Sequence, residues 1–181
     1  LKAWREIVAP HPDVQSGDYL QAQFVANLQD VLSGRAQPEY RDPKLFFERT
    51  YLTEGIARLL AGAWRRLGGQ GGDPVVGLQT NFGGGKTHTL LSLYHLFGGD
   101  LELVDVAGLE VITAQLPKNF DVLPKARRAV LACVALSVSS PSIKEDGTRV
   151  QTLWGEMAWQ LGGAMAYELV ASADQSRTSP G

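Results

Sequence analysis

The sequence predicts an α/β fold in which a parallel sheet is preceded by a mostly helical N-terminal region. Three observations carry that expectation. Before residue 70 the apolar residues recur at helical spacings; the run Gly68-Gly69-Gln70-Gly71-Gly72-Asp73-Pro74 then interrupts the chain, since four glycines and a proline cannot continue a helix cheaply. Beyond it come an apolar stretch, a glycine-rich loop and an amphipathic helix, followed by a nearly continuous apolar run at residues 129–138, the pattern of a parallel strand buried on both faces.

Taken in order, residues 1–12 hold Trp4, Val8 and two prolines and read as an extended arm. Leu20, Phe24, Leu28, Val31 and Leu32 then mark an amphipathic helix over 17–32 that Gly34 ends. Asp42-Pro43 offers an N-cap and an N1 proline, and Thr53-Glu54 opens a stronger helix with a stripe of Ile56, Leu59, Leu60, Ala63, Trp64 and Leu67, closed by Gly68-Gly69. The domain boundary is placed at the glycine run. After it, residues 75–78 read as a strand, 87–97 as a helix, 103–116 as a weaker helix, 139–149 as a polar loop, and Leu153, Met157, Leu161, Met165 and Leu169 as a final helix.

One soluble globular domain accounts for 181 residues that are 44% hydrophobic and 20% charged. The net charge of −2 offers nothing to a nucleic-acid backbone, so DNA as a partner is left without support. The single cysteine, Cys133, cannot form an intrachain disulfide and reads as a buried, inert thiol; with neither a signal peptide nor a long apolar span, a cytoplasmic protein without membrane contact is expected. The sequence opens at Leu1 without an initiator methionine and stops at Ser179-Pro180-Gly181 directly after a helical pattern, and is read as a segment of a longer polypeptide.

The string LQTNFGGGKTHT carries the chemistry. It sets Gly85-Lys86-Thr87 at a strand-to-helix junction, where successive backbone N–H groups can surround phosphate oxygens and the helix adds its positive dipole end. Gly83, Gly84 and Gly85 allow the backbone to approach the phosphates; Lys86, the catalytic candidate, reaches the β- and γ-phosphates; Thr87 offers its hydroxyl to Mg²⁺. Asn81, Phe82 and His88 complete the candidate nucleotide-binding set, with ATP and Mg²⁺ as the cofactors. A bare Gly-Lys-Thr or Gly-Lys-Ser would arise by chance in on the order of one in ten such chains, so the flanking strand and helix patterns carry the specificity. The usual first glycine of this loop is Thr80 here, which makes it a variant.

Other residues yield less. Asp105, after the apolar Leu101-Glu102-Leu103-Val104, resembles an acidic Mg²⁺ partner, but follows Lys86 too soon and is read as a helix cap. His88 and His95 lie seven residues apart on an ordinary helix face, Arg127 and Arg128 read as a solvated strand entry rather than a finger toward a neighbouring nucleotide, and Glu156 as a helix-solubilising charge.

With these residues on the page, the chain resembles a family of large bacterial and archaeal ATP-binding proteins catalogued as a domain of unknown function, with relatives among the P-loop ATPases of BREX and phage-growth-limitation defence systems. The resemblance runs through LKAWREIVAPHPDV, EYRDPKLFFERTYLTEG, GGDPVVGLQTNFGGGKTH, LPKARRAVLACVAL and TLWGEMAWQLGG. It implies a P-loop NTPase-type, AAA-like parallel sheet, incomplete in this chain and preceded by the helical region. Residues 1–70 would be that region and 71–181 the N-terminal part of the ATPase domain, truncated before the acidic strand that completes the Mg²⁺ site. The implied activity is Mg-dependent ATP hydrolysis by the longer protein in phage defence, with proteins of a defence complex or further copies of the chain as partners. A non-hydrolysing nucleotide-binding scaffold is the alternative; a small-molecule kinase is weaker, because no arginine-rich lid segment follows the loop.

Overall fold

A computed structural model of the chain describes residues 2–17, 27–79, 81, 83–118, 120–132 and 141–181. Leu20 and Phe24 of the expected first helix, Thr80, Phe82 and Cys133, and residues 133–138 of the expected buried strand lie outside the described residues. A 3₁₀ turn at Trp4–Glu6 and α1 (Pro12–Ser16) precede α2 (Leu28–Leu32), which Asn27 caps by accepting the Gln29 N–H. Then come α3 (Pro38–Arg41) and α4 (Pro43–Glu48), each with proline in its first turn, where the missing N–H costs nothing. Asp42 caps α4, its carboxylate accepting from the Lys44 and Leu45 amides at 2.9 and 3.0 Å.

Helix α5 (Glu54–Leu67) starts and stops where the sequence places it, with the Thr53 hydroxyl accepting from Ile56 N and Gly68 ending it. Its buried face is Ala57, Leu60, Ala61 and Trp64, rotated from the expected stripe, and Leu67 is exposed. The physical reason is proximity: α6 (Lys86–Leu96) and α7 (Leu109–Thr113) both pack on α5, and alanines let their backbones approach where isoleucine and leucine would hold them off. Trp64 reaches across with its indole N–H to the carbonyl of Val122 at 3.1 Å. The core joins Phe46 and Phe47 of α4, this face of α5, Leu91 and Leu96 of α6, and Ile112 of α7.

Residues 75–78, expected as a strand, carry no strand pairing; Val75 and Val76 are 84% and 53% exposed. Residues 129–132 are likewise not part of a strand among the described residues. A strand is stable only beside a partner's backbone. At Val130 that partner is a side chain: the Gln160 amide accepts from Val130 N at 2.7 Å and donates to Val130 O at 3.0 Å. Among the described residues the sheet is an antiparallel pair, β1 (Ser142–Ile143) and β2 (Arg149–Val150), with Ser142 opposite Val150, set inside the expected polar loop. The weak helix expected over 103–116 divides into a 3₁₀ turn at Leu103–Asp105 and α7.

The final helical pattern forms α8 (Leu153–Glu168), broken at Gly162-Gly163, where Gly163 takes φ 63°, ψ −153°, and α9 (Ala171–Ser176) follows. One buried carboxylate joins these elements. Asp174, 1% exposed, accepts from Gln151 N, Thr152 N, the Thr152 hydroxyl at 2.6 Å and the Tyr167 hydroxyl at 2.8 Å. Gly155 makes room for it, since a Cβ there would stand 2.7 Å from Asp174 Cγ.

Burial alone would raise the Asp174 carboxyl, but donation by Thr152, Gln151 and Tyr167 outweighs it and holds the group below the usual carboxylate range. Its stabilisation is therefore complete above the unfolded value of about 3.9 and disappears as pH falls through the lower folded value. Asp174→Asn is expected to destabilise by about 2 kcal/mol at neutral pH, because it replaces one accepting oxygen with an NH2 donor that faces buried donors. Urea denaturation of both forms should show that gap narrowing below pH about 4; a gap constant across the acid range would contradict the account.

Candidate functional site

The glycine-rich loop meets α6 through a left-handed residue. Gly85, the N-cap, has φ 74° and ψ 14°, and Gly83 has φ 79°. A Cβ at either position would meet nothing within 4 Å, so the demand for glycine is conformational and the space beside the loop is open. The turn is closed by Gly84 N donating to Asn81 O at 3.1 Å, and the same carbonyl accepts from Lys86 Nζ at 3.1 Å. Gly85 provides no side chain to cap α6, so the dipole end of the helix faces the loop without a competing carboxylate. Gly83, Gly84, Gly85 and Lys86 are exposed, and Thr87 is half-buried at the first turn.

The far side of α6 is held firmly. Leu91, Ser92, His95 and Leu96 are buried, and the Ser92 hydroxyl donates to His88 O at 3.0 Å. His95 donates from Nε2 to the carbonyl of Tyr40 at 2.9 Å, and His88 Nε2 lies 3.0 Å from the Thr50 hydroxyl. Both imidazoles lie against the Phe46 ring, at centroid distances of 4.7 Å for His88 and 5.0 Å for His95. Burial pushes both rings below the ordinary histidine range; for His95 the nearby Arg128 adds to this, while the Tyr40 carbonyl, Asp100 and Asp42 oppose it. The two histidines, read from the sequence as lying on an ordinary helix face, thus belong to the inward face of α6.

The structure brings Asn81, Gly83, Gly84, Gly85, Lys86 and Thr87 together at the helix start and turns His88 toward α4. Asp105 is the N3 partner of a capping box whose N-cap is Glu102, its carboxylate accepting from Glu102 N at 3.2 Å, and it pairs with Lys44 at 2.9 Å; the N-cap of α7 itself is Gly108. Arg127 donates to Leu161 O at 3.0 Å, where the break in α8 frees a carbonyl; Arg128 lies 3.9 Å over the Tyr94 ring and donates to the Tyr94 carbonyl. Both arginines are thus engaged with main-chain acceptors, not merely solvated. Glu156 is buried, bound to Lys144 at 2.6 Å and to Gln160 at 2.9 Å, so solubility does not explain it. Thr50 and Gln160 had no local signal, because their partners lie 38 and 30 residues away.

The chemistry of the loop residues suits an anion: left-handed glycines lead into a helix start whose N-cap has no side chain, and the Lys86 ammonium lies on the Asn81 carbonyl beside it. Among the described residues no group of three or more His, Cys, Asp or Glu side chains is placed to hold a metal ion.

Two measurements test this geometry. Gly85→Ala is expected to cost about 1 kcal/mol in chemical denaturation, the price of a side chain in the left-handed region; no loss would mean that the loop relaxes to another conformation. His95 stabilises the fold as a neutral ring, fully above its unfolded value of about 6.5 and less as pH falls through the lower folded value. Between pH about 7.5 and about 5, the wild type should lose stability relative to His95→Gln, which keeps a donor for Tyr40 and cannot titrate; parallel curves would remove His95 from the acid response.

Among the described residues no helix is long and apolar enough to cross a membrane. No curated protein and no solved structure matches the chain. Residues 11–181 match the model of the DUF499 N-terminal domain, nearly the whole sequence including the glycine loop and all of α2–α9, and the chain belongs to that family.

Proposed function

We propose that the chain binds ATP with Mg²⁺ at the loop Gly83-Gly84-Gly85-Lys86-Thr87, and that the longer protein of which it is the front part hydrolyses the γ-phosphate. The observation that carries this reading is the uncapped start of α6, entered through left-handed Gly85 with Lys86 and Thr87 as its first two residues. The amides of residues 83–85 would position the phosphates, and Lys86, resting on the Asn81 carbonyl at 3.1 Å, would exchange that weak acceptor for phosphate oxygens. Thr87 would hold the metal, whose contribution when bound is to neutralise charge between the phosphates. Asn81, Phe82 and His88 belong to the same proposal as flanking residues. So does completion of a parallel sheet beyond this chain, by a strand that ends in an acidic residue.

A role as the ATPase component of a cytoplasmic phage-defence system belongs to the same reading and rests on the sequence resemblance alone, since the family match carries no function. A second reading, in which ATP only fixes domain geometry, draws on Asp105: the acidic residue that follows the loop most temptingly is spent on Lys44 and on its own turn.

Calorimetric titration of MgATP separates these. Lys86→Ala is expected to weaken binding by about 10- to 100-fold, the worth of a lost charged hydrogen bond. Unchanged affinity in that variant would end the nucleotide reading. Turnover by the longer protein that Lys86→Ala abolishes would favour hydrolysis over the scaffold.

A further inference from the structure

One side-chain hydrogen bond between the helical N-terminal region and α6 is explained neither by the loop motif nor by family membership. Thr50 Oγ1 and His88 Nε2 are 3.0 Å apart, though 38 residues separate them in sequence. Thr50 follows α4, and its hydroxyl lies 2.5 Å from the carbonyl oxygen of Phe46. A carbonyl only accepts, so the single hydroxyl hydrogen is committed to Phe46 and the imidazole must donate through Nε2–H. His88 is thereby held as one tautomer, hydrogen-bonded to a hydroxyl and laid on the ring of Phe46, itself 1% exposed. Such an anchor cannot shift without opening the core.

The N-cap of α6 is a glycine, which makes no side-chain cap hydrogen bond, and helix termini without such a cap fray. Successive helical residues point about 100° apart, so a fixed direction at position 88 fixes those at 86 and 87. We infer that Thr50 is a positioning residue of the nucleotide loop: by holding His88 it sets the rotation of the first turn of α6 and so aims Lys86 and Thr87. The inference rests on the nucleotide reading of that loop. It makes the helical region before the glycine run a working part of the site rather than a separate module. It also gives His88 a role exerted through Thr50 and Phe46 instead of through contact with nucleotide.

The experiment compares the wild type with Thr50→Val, which keeps the shape and removes the hydroxyl, and Thr50→Ser, which restores it. Two quantities are read: MgATP affinity by calorimetry, and the tautomer of the His88 ring by nitrogen NMR without nucleotide. Thr50→Val is expected to lower affinity about tenfold, as losing the support behind a binding group does, and to abolish the Nε2–H signature; Thr50→Ser is to recover both. Wild-type affinity in Thr50→Val, with Lys86→Ala still defective, overturns the positioning role and leaves the nucleotide reading standing. Equal weakening by Val and Ser overturns it too, since the hydroxyl would then not matter. Absence of MgATP binding in the wild type overturns both. Absence of the Nε2–H tautomer in the wild type overturns the inference without recourse to any variant.

Discussion

The burial of Phe46 is the constraint on which the arrangement around the glycine loop depends. Its ring meets Phe47 edge-on at 5.4 Å and lies tilted against His88 and His95 at 4.7 and 5.0 Å. A helix as short as α4 has no stability of its own in water. It persists because Asp42 satisfies its first amides and its two phenylalanines enter the core. The same ring gives α6 a flat surface on which two of its turns rest, and the hydrogen bonds of His88 to Thr50 and of His95 to Tyr40 choose one rotation of that helix among many apolar ones. Apolar burial supplies the energy; the polar contacts supply the register.

The C-terminal elements are organised differently, around polar groups taken out of water. Asp174 gathers donors from the chain before α8 and from Tyr167, whose phenol is pushed up to about 12 by burial and by the adjacent carboxylate. Lys144 and Glu156 form a buried pair that continues through Gln160 to the backbone of Val130. Such groups add little net stability, since desolvation offsets much of the attraction, but each leaves a large penalty in any alternative packing. The segment 126–130 is tied by them to α8, and by Ala126 N to Phe97 O at 2.9 Å and by Arg128 to Tyr94 it is also tied to the end of α6. A continuous set of contacts thus joins the hairpin to the helix that follows the glycine loop.

Legibility in the sequence follows the range of the interaction. Thr53 capping α5, Gly68 ending it and the Asp42-Pro43 start of α4 were all readable, because a cap and its amides lie within a few residues of each other. The place of Gly83 to Thr87 at the entrance of a helix was readable on the same grounds. The buried face of α5 was not: hydropathy favours Ile56, Leu59 and Leu67, whereas the neighbours α6 and α7 demanded the smaller Ala57 and Ala61. Glu156, Arg127 and Arg128 read as solvated charges because nothing near them in sequence announces Lys144, Leu161 or Tyr94.

By itself, then, the sequence determined where α4, α5 and α6 begin and where α5 ends, because caps, N1 prolines and closing glycines are properties of adjacent residues. Only the tertiary structure decided which side of each helix is buried, that the Val130 backbone is bonded by the Gln160 side chain, and that His88 of α6 is held by Thr50. Those outcomes depend on which distant segment arrives at hydrogen-bond distance, and hydropathy and spacing do not encode that arrival.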